Sequence, residues 1–243
     1  MKKAFADLHL RLNPRDSAVA ARIINKAAML GYGLVAVPFS PETHEDEVEK
    51  LQGICSDAKI DFASRVDIKP RTQNDLMHQL RRLRRKFEII CVACENKEIA
   101  RQAAKDRRVD LLNFPSLDYH KRFFDRAEAE LASSSLAALE IDLKPLLVLE
   151  GPARVRLISN LRREAAIATE FHVPIVISSG ATSELLLRKP REQAALAGLF
   201  GLNETSLETV SQNPLALVQR NRQKLNPKFV APGIRVIKEG RDC

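Results

Sequence analysis

Asp7, His9 and Arg11 stand at alternate positions near the start of the chain. A strand there predicts those three on one face and Ala6, Leu8, Leu10 and Leu12 on the other. A carboxylate beside an imidazole suits metal binding or proton transfer. The same spacing of charges recurs inside apolar runs, as Arg65 with Asp67 and as Glu140 with Asp142. Ser178 and Ser179 end a further apolar run, 173–177. If these runs are neighbouring strands, the polar residues ring one mouth. Charges there must be paired or wet. The ring is then either an active site or a set of internal ion pairs.

Other chemistries find less support. Cys91 and Cys94 form a CxxC, but in a strand they face opposite ways and no second pair exists, so two buried thiols are expected. With four cysteines in 243 residues there is no disulfide framework. Ser178-Ser179 lacks a G-x-S-x-G elbow and an identifiable base. With Gly180 and Ala181 it reads as a polar corner suited to an anion or a close-lying backbone. There is no G-x-x-x-x-G-K-[ST] and no G-x-G-x-x-G, so a nucleotide cofactor is not indicated.

The elements that must position these residues follow from periodicity. Strands are expected over 5–12, 34–39, 60–69, 87–94, 109–114, 138–143 and 173–177. Helices are expected over 18–30, 48–57, 74–86, 97–107, 119–132 and 153–171. A helix begins at Pro190 and ends near Gly201. Another begins at Asn203 or Thr205 and ends before Asn213-Pro214. The run 229–237 is a candidate for a last strand. Short links and β-branched strands indicate a parallel sheet covered by helices. The expected fold is α/β and TIM-barrel-like, irregular, with about seven strands, as one domain over 1–243; a doubly wound open sheet is the rival.

Charge supplies the strongest chemical signal. Lys and Arg number 39 against 31 Asp and Glu, a formal charge of +8. Such an excess favours a polyanionic partner. Aromatics are few, with no Trp and two Tyr, which favours phosphate contact over base stacking. Between 71 and 108 eleven basic residues meet five acidic ones. In the helix 74–86, Leu76, Leu80 and Leu83 share a face, with Arg81, Arg82 and Arg85 broadly opposite. Arginine suits two-pronged phosphate contact. The candidate RNA contacts are Arg81, Arg82, Arg85, Arg107, Arg108, Arg188, Lys189 and Arg191. Each cluster alone is equally a solvated surface. No apolar run reaches about 18 residues, and Asp7 interrupts any signal-peptide core, so no membrane span and a cytoplasmic location are expected.

The motif Asp7-Leu8-His9 is similar to the start of the PHP-type metallophosphoesterases, which open with His-x-His on their first barrel strand. Here Arg11 takes the second histidine position. A guanidinium cannot ligate a metal and carries a fixed positive charge. The segments 5–39 and 173–220 resemble the Rpp30-type protein subunit of ribonuclease P. The likeness rests on Phe5-Ala6-Asp7-Leu8, Leu10-Arg11, Leu30-Gly31-Tyr32, Val176-Ile177-Ser178-Ser179-Gly180-Ala181, Arg188 with Pro190, and the run from Leu196 to Leu202. The short C-terminal tail looks archaeal. The resemblance implies a PHP-related barrel without its metal centre, in an enzyme that removes the 5′ leader from precursor tRNA. It implies that this chain binds no cofactor, while Mg²⁺ serves the catalytic RNA. The implied partners are the ribonuclease P RNA, a small subunit with an RNA-recognition-like (RRM-like) fold and the other ribonuclease P proteins, with precursor tRNA met indirectly. The alternatives are a metal-dependent phosphoesterase using Asp7, His9, Glu140 and Asp142, or a metabolic enzyme binding an anionic molecule at the Ser178 corner.

Overall fold

The computed structural model describes residues 5–115, 121–231 and 234–235. Seven parallel strands pair in chain order: β1 (Ala6–Asp7), β2 (Leu34–Phe39), β3 (Asp61–Ile68), β4 (Ile89–Ala93), β5 (Leu111–Asn113), β6 (Ala138–Asp142) and β7 (Ile175–Ser178). Helices return the chain between them: α1 (Ser17–Leu30), α2 (Glu45–Asp57), α3 (Gln73–Leu83), α4 (Lys97–Lys105), α5 (Arg126–Ser135), α6 (Lys144–Val148) and α7 (Gly151–Glu170). After β7 come α8 (Pro190–Ala197) and α9 (Gln212–Leu225), then a separate antiparallel pair, β8 (Phe229–Ala231) and β9 (Ile234–Arg235). None of the described helices is long and apolar enough to cross a membrane.

The sheet curls into a nearly closed barrel, as the alternation of strands and helices predicts. No ladder joins β7 to β1. The seam is held by Arg11 N–H donating to the Ala181 carbonyl at 2.9 Å. Ser179 N–H donates to Asp7 Oδ1, also at 2.9 Å. A side-chain carboxyl thus replaces the missing backbone acceptor of a buried N–H. The Ser179–Ala181 corner therefore receives a neighbouring backbone. Two donors at this corner are also occupied: Ser178 Oγ donates to Glu140 Oε1 at 2.9 Å, and the Ala181 N–H donates to Ser179 Oγ at 3.1 Å.

The strand faces explain the two cores. Leu34, Ala63, Ile89, Cys91, Leu111, Ala138 and Val176 point inward, while Val35, Val66, Ile90, Leu112, Leu139 and Ile177 meet the helices. Cys91 and Cys94 fall on opposite sides of β4, both buried. Burial pushes both thiols well above their ordinary range, so neither is a ready metal ligand.

Four expectations need correction. The alternation over 5–12 breaks at the seam: Ala6 and Leu8 pack inside the barrel, but Leu10 and Leu12 pack outside it. His9 is thereby turned inward while Asp7 reaches sideways to β7. Second, α2 begins at Glu45, three residues before Val48. Glu45, Asp46 and Glu47 fill its first turn, where carboxylates offset the helix dipole. Third, the helix expected over 119–132 starts at Arg126, capped by the Asp125 side chain; 116–120 lie outside the described residues. Fourth, the helix expected from Asn203 or Thr205 is only turns and a short 3-10 turn, Glu208–Val210, and Asn213-Pro214 opens α9 instead of ending a helix. A proline in the first turn loses no intrahelical N–H bond, and Asn213 Nδ2 donates to the Ile175 carbonyl at 2.8 Å.

That last helix closes the bottom of the barrel. Leu217 and Val218 pack with Ala6, Leu34, Ile89 and Val176. Burying such side chains is worth roughly 1.5–3 kcal/mol each. Arg222 fixes the helix against two strands, through Asp61 at 2.6 Å and Glu88 at 2.5 Å. Arg220 adds a contact to Asp110 at 3.2 Å.

Candidate functional site at the barrel mouth

Strand register lines up the polar residues. Asn113 is level with Glu140, and Asp142 with Ser178. Arg65 follows Ala63 on the inward face of β3, and its side chain is fully buried. Its Nη1 and Nη2 donate to Glu140 Oε1 and Oε2 at 2.5 and 2.7 Å. Its Nε donates to Asp67 Oδ1 at 2.6 Å, and Nη1 also reaches the Leu8 carbonyl at 2.7 Å. Glu140 Oε2 accepts a further bond from Asn113 Nδ2 at 2.9 Å. Asn113 was not singled out from the sequence, although its position two after Leu111 marks it as inward-facing.

His9 sits nearer the opening. Its Nδ1 lies 2.7 Å from Asp142 Oδ1. Its Nε2 faces two groups, accepting from Arg11 Nε at 2.9 Å when neutral, or donating to Asp67 Oδ2 at 3.3 Å when protonated. Burial and Arg65 oppose protonation of His9, but Asp142 and Glu140 outweigh them and raise it to about 9. Burial likewise works against ionised Asp142 and Asp67. The charges and hydrogen bonds of His9 and Arg11 hold Asp142 low, and those of Arg65 and His9 hold Asp67 well below the carboxylate range. With His9 protonated, it and two guanidinium groups balance Asp67, Glu140 and Asp142. Asp7 stands apart from this balance. Burial raises its carboxyl, and its Oδ2 has no hydrogen-bond partner.

Metal chemistry is testable on these donors. His9, Glu140 and Asp142 offer ligand atoms within 4.8 Å of one another, the one such cluster among the described residues. Each is already engaged: Glu140 by Arg65, Ser178 and Asn113, and Asp142 by His9 and Arg11. Arg65 brings a permanent cation to the carboxylates that would have to hold the metal. The donor set fits a guanidinium-closed network better than a divalent ion. Its groups also lack the free, poised acid and base that hydrolysis needs.

The candidate RNA contacts divide by what already holds them. Arg81, Arg85, Arg107, Lys189 and Arg191 are exposed, with no hydrogen bond or ion pair made by their side chains among the described residues. Arg82 makes only a loose 3.9 Å pair with Glu42. Arg108 is held by Asp106 at 2.9 and 2.6 Å. Arg188 Nη1 donates to the Leu185 and Leu187 carbonyls at 2.8 and 2.9 Å. Its own carbonyl accepts from Tyr32 Oη at 2.9 Å, which fixes the basic turn before α8. Arg84 joins the end of α3 to the Arg108 carbonyl at 3.1 Å, bringing Arg81 and Arg85 to the same side as Arg107. That side is the closed end of the barrel, where α3 and α4 run back to start new strands. Lys189 and Arg191 follow β7 and lie at the open end. The structure therefore makes two separate basic regions, not one.

Comparison with known proteins places this geometry. The family model for RNase P subunit p30 matches residues 4–226. The ribonuclease P protein component 3 of Methanosarcina barkeri is 30% identical over 241 residues, covering 98% of each chain. That of Methanocaldococcus jannaschii is 25% identical over 210 residues, covering 86% of this chain and 90% of the relative. A chain in a cryo-EM structure of archaeal ribonuclease P with mature tRNA superposes with a TM-score of 0.83 at 24% identity, covering 98% of this chain and 100% of that one. An organophosphorus hydrolase variant from Deinococcus radiodurans shares the fold more loosely, with a TM-score of 0.56 at 10% identity over 89% of this chain and 93% of its own.

Proposed function

We propose, on the premise that the chain belongs to the RNase P subunit p30 family, that it serves ribonuclease P as a noncatalytic support for the RNA that cleaves precursor tRNA. Membership makes it a protein component of that enzyme. The observation that carries the noncatalytic role is the Arg65 guanidinium on both oxygens of Glu140, at 2.5 and 2.7 Å. The residues of a metal-assisted hydrolase are here tied into internal ion pairs. No cofactor is held by this chain, and the Mg²⁺ of cleavage belongs to the RNA.

Its contribution is electrostatic. Arg81, Arg85 and Arg107 at the closed end, with Arg82 only loosely paired, and Lys189 and Arg191 at the open end, neutralise phosphates of the ribonuclease P RNA. Arg108 and Arg188 are shaped for structure and contribute less. A small RRM-like subunit and the other ribonuclease P proteins complete the assembly, which works in the cytoplasm. The test is RNA affinity against salt for a variant with Arg81, Arg85 and Arg107 all changed to Gln. A shallower salt slope supports the role. Unchanged affinity and slope would make that face plain solvated surface.

The alternative, a metal-dependent phosphoesterase, rests on the 4.8 Å cluster of His9, Glu140 and Asp142. Stoichiometric metal in the purified chain, with phosphodiester turnover lost in H9A, would favour it.

A further inference from the structure

Beside the ion network, the mouth opens into a cavity of about 240 Å³ between the ends of β5 and β6 and helices α6 and α7. Its walls are apolar, formed by Phe114, Leu157 and Leu161. Its floor is polar, with Asn113, Asp142 and the Arg65-paired Glu140. Its rim carries Arg11, Lys144 and Val148, and Val148 is 52% exposed. Gly180 lines the same opening with φ of 61°, and a Cβ there would meet Asp142 and Lys144 at 3.3 Å.

We propose that this cavity receives one unpaired nucleotide of RNA, with the base between the apolar walls, its polar edge on Asn113 and Asp142, and its phosphate at Lys144. The inference rests on the RNA-supporting role and names a contact within it.

Three features favour this occupant. The volume is that of about eight waters, below the usual range for larger ligands of roughly 300–1,000 Å³. It suits a single planar group. The sequence of surfaces, polar floor, apolar wall and cationic rim, follows the order of base edge, base face and phosphate. An apolar side chain from a protein would leave floor and rim unmatched. Charge points the same way. The network beneath is balanced by its own groups, whereas the described bond of Lys144 Nζ goes to the Thr182 hydroxyl at 3.1 Å, not to an acid. The shortage of aromatics argues against an exposed stacking platform but not against a base held between the buried Phe114, Leu157 and Leu161.

The experiment titrates the full-length chain with each of the four nucleoside 5′-monophosphates and with ribose 5-phosphate, followed by NMR or calorimetry. Wild type should bind at least one monophosphate at least about tenfold more tightly than ribose 5-phosphate, about 1.4 kcal/mol. V148W, at an exposed rim position, should abolish that preference while keeping the wild-type unfolding midpoint. K144A should weaken binding about tenfold and make it less salt-sensitive. Equal binding of ribose 5-phosphate, or unchanged binding by V148W, would overturn the proposal. So would loss of binding to a partner ribonuclease P protein in V148W with nucleotide binding intact. If mononucleotides fail while the whole RNA still binds with its full salt slope, only this inference falls. If the RNA itself does not bind, the functional reading falls.

Discussion

Arg65 and Glu140 meet inside the barrel as a two-pronged pair, with Nη–Oε distances of 2.5 and 2.7 Å and neither side chain exposed. They lie 75 residues apart in the chain. Breaking such a pair from one side leaves a buried charge without its partner, which costs about 3–5 kcal/mol. R65M should therefore lower unfolding stability by about that amount in a denaturant titration. R65M/E140M should recover part of the loss, because both charges of the pair are gone. Asp67 still lacks its partner, so recovery is incomplete. A double variant no better than R65M would show that the pair is not the source of the cost.

His9 makes stability depend on pH. Its folded value is raised to about 9 from 6.5 by Asp142 and Glu140, against burial and Arg65. The folded state thus holds more protons than the unfolded state between those values. The stability from protonated His9 is fully present below pH 6.5 and is lost as pH rises through 9, by about 1.4 kcal/mol per pH unit at most. Glu128, raised to about 8 by burial, adds a fall of the same sign at lower pH. Subtracting the profile of H9Q from that of wild type isolates the histidine. A flat difference between pH 6.5 and 9 would contradict the assignment.

The bottom closure should be as important to stability as the mouth. L217A removes a buried side chain from the barrel interior and should cost about 2–5 kcal/mol. R222A should destabilise as well, because Asp61 and Glu88 lose their partner. Neither change should alter the salt slope of RNA binding. The two measurements together separate α9 as a structural element from α9 as a basic surface.

The exposed arginines predict the opposite pattern. Changing Arg81, Arg85 and Arg107 to Gln should leave the unfolding midpoint near wild type. It should reduce the salt slope of RNA binding by about 0.7–0.9 for each phosphate that is no longer neutralised. R108A, which frees Asp106 from a bidentate pair, should affect stability more than slope.

The strands were legible because β-branched runs ended by polar corners have few other uses. The inward parity of Arg65, Asp67, Glu140 and Asp142 was legible for the same reason. At β1 the parity failed, since an irregular seam turns His9 inward beside Leu8. The start of α9 was misread because Asn-Pro ends a helix as readily as it opens one. What decides there is a bond from Asn213 to Ile175, 38 residues away. The largest gap concerns arginine. A free phosphate contact and a structural cation look alike along the chain. Arg222 finds Asp61 at a separation of 161 residues and Arg84 finds Asp110 at 26, and only the fold brings those pairs together.

The central claim is that the mouth's charged groups hold the barrel and do no chemistry. It is tested most directly by single-turnover cleavage of precursor tRNA, using ribonuclease P reconstituted with H9Q at saturating protein. Cleavage within about twofold of wild type is predicted, since a general acid or base would contribute on the order of 10²–10⁴-fold. A loss of about a hundredfold or more, with the variant still assembled on the RNA, would contradict the account.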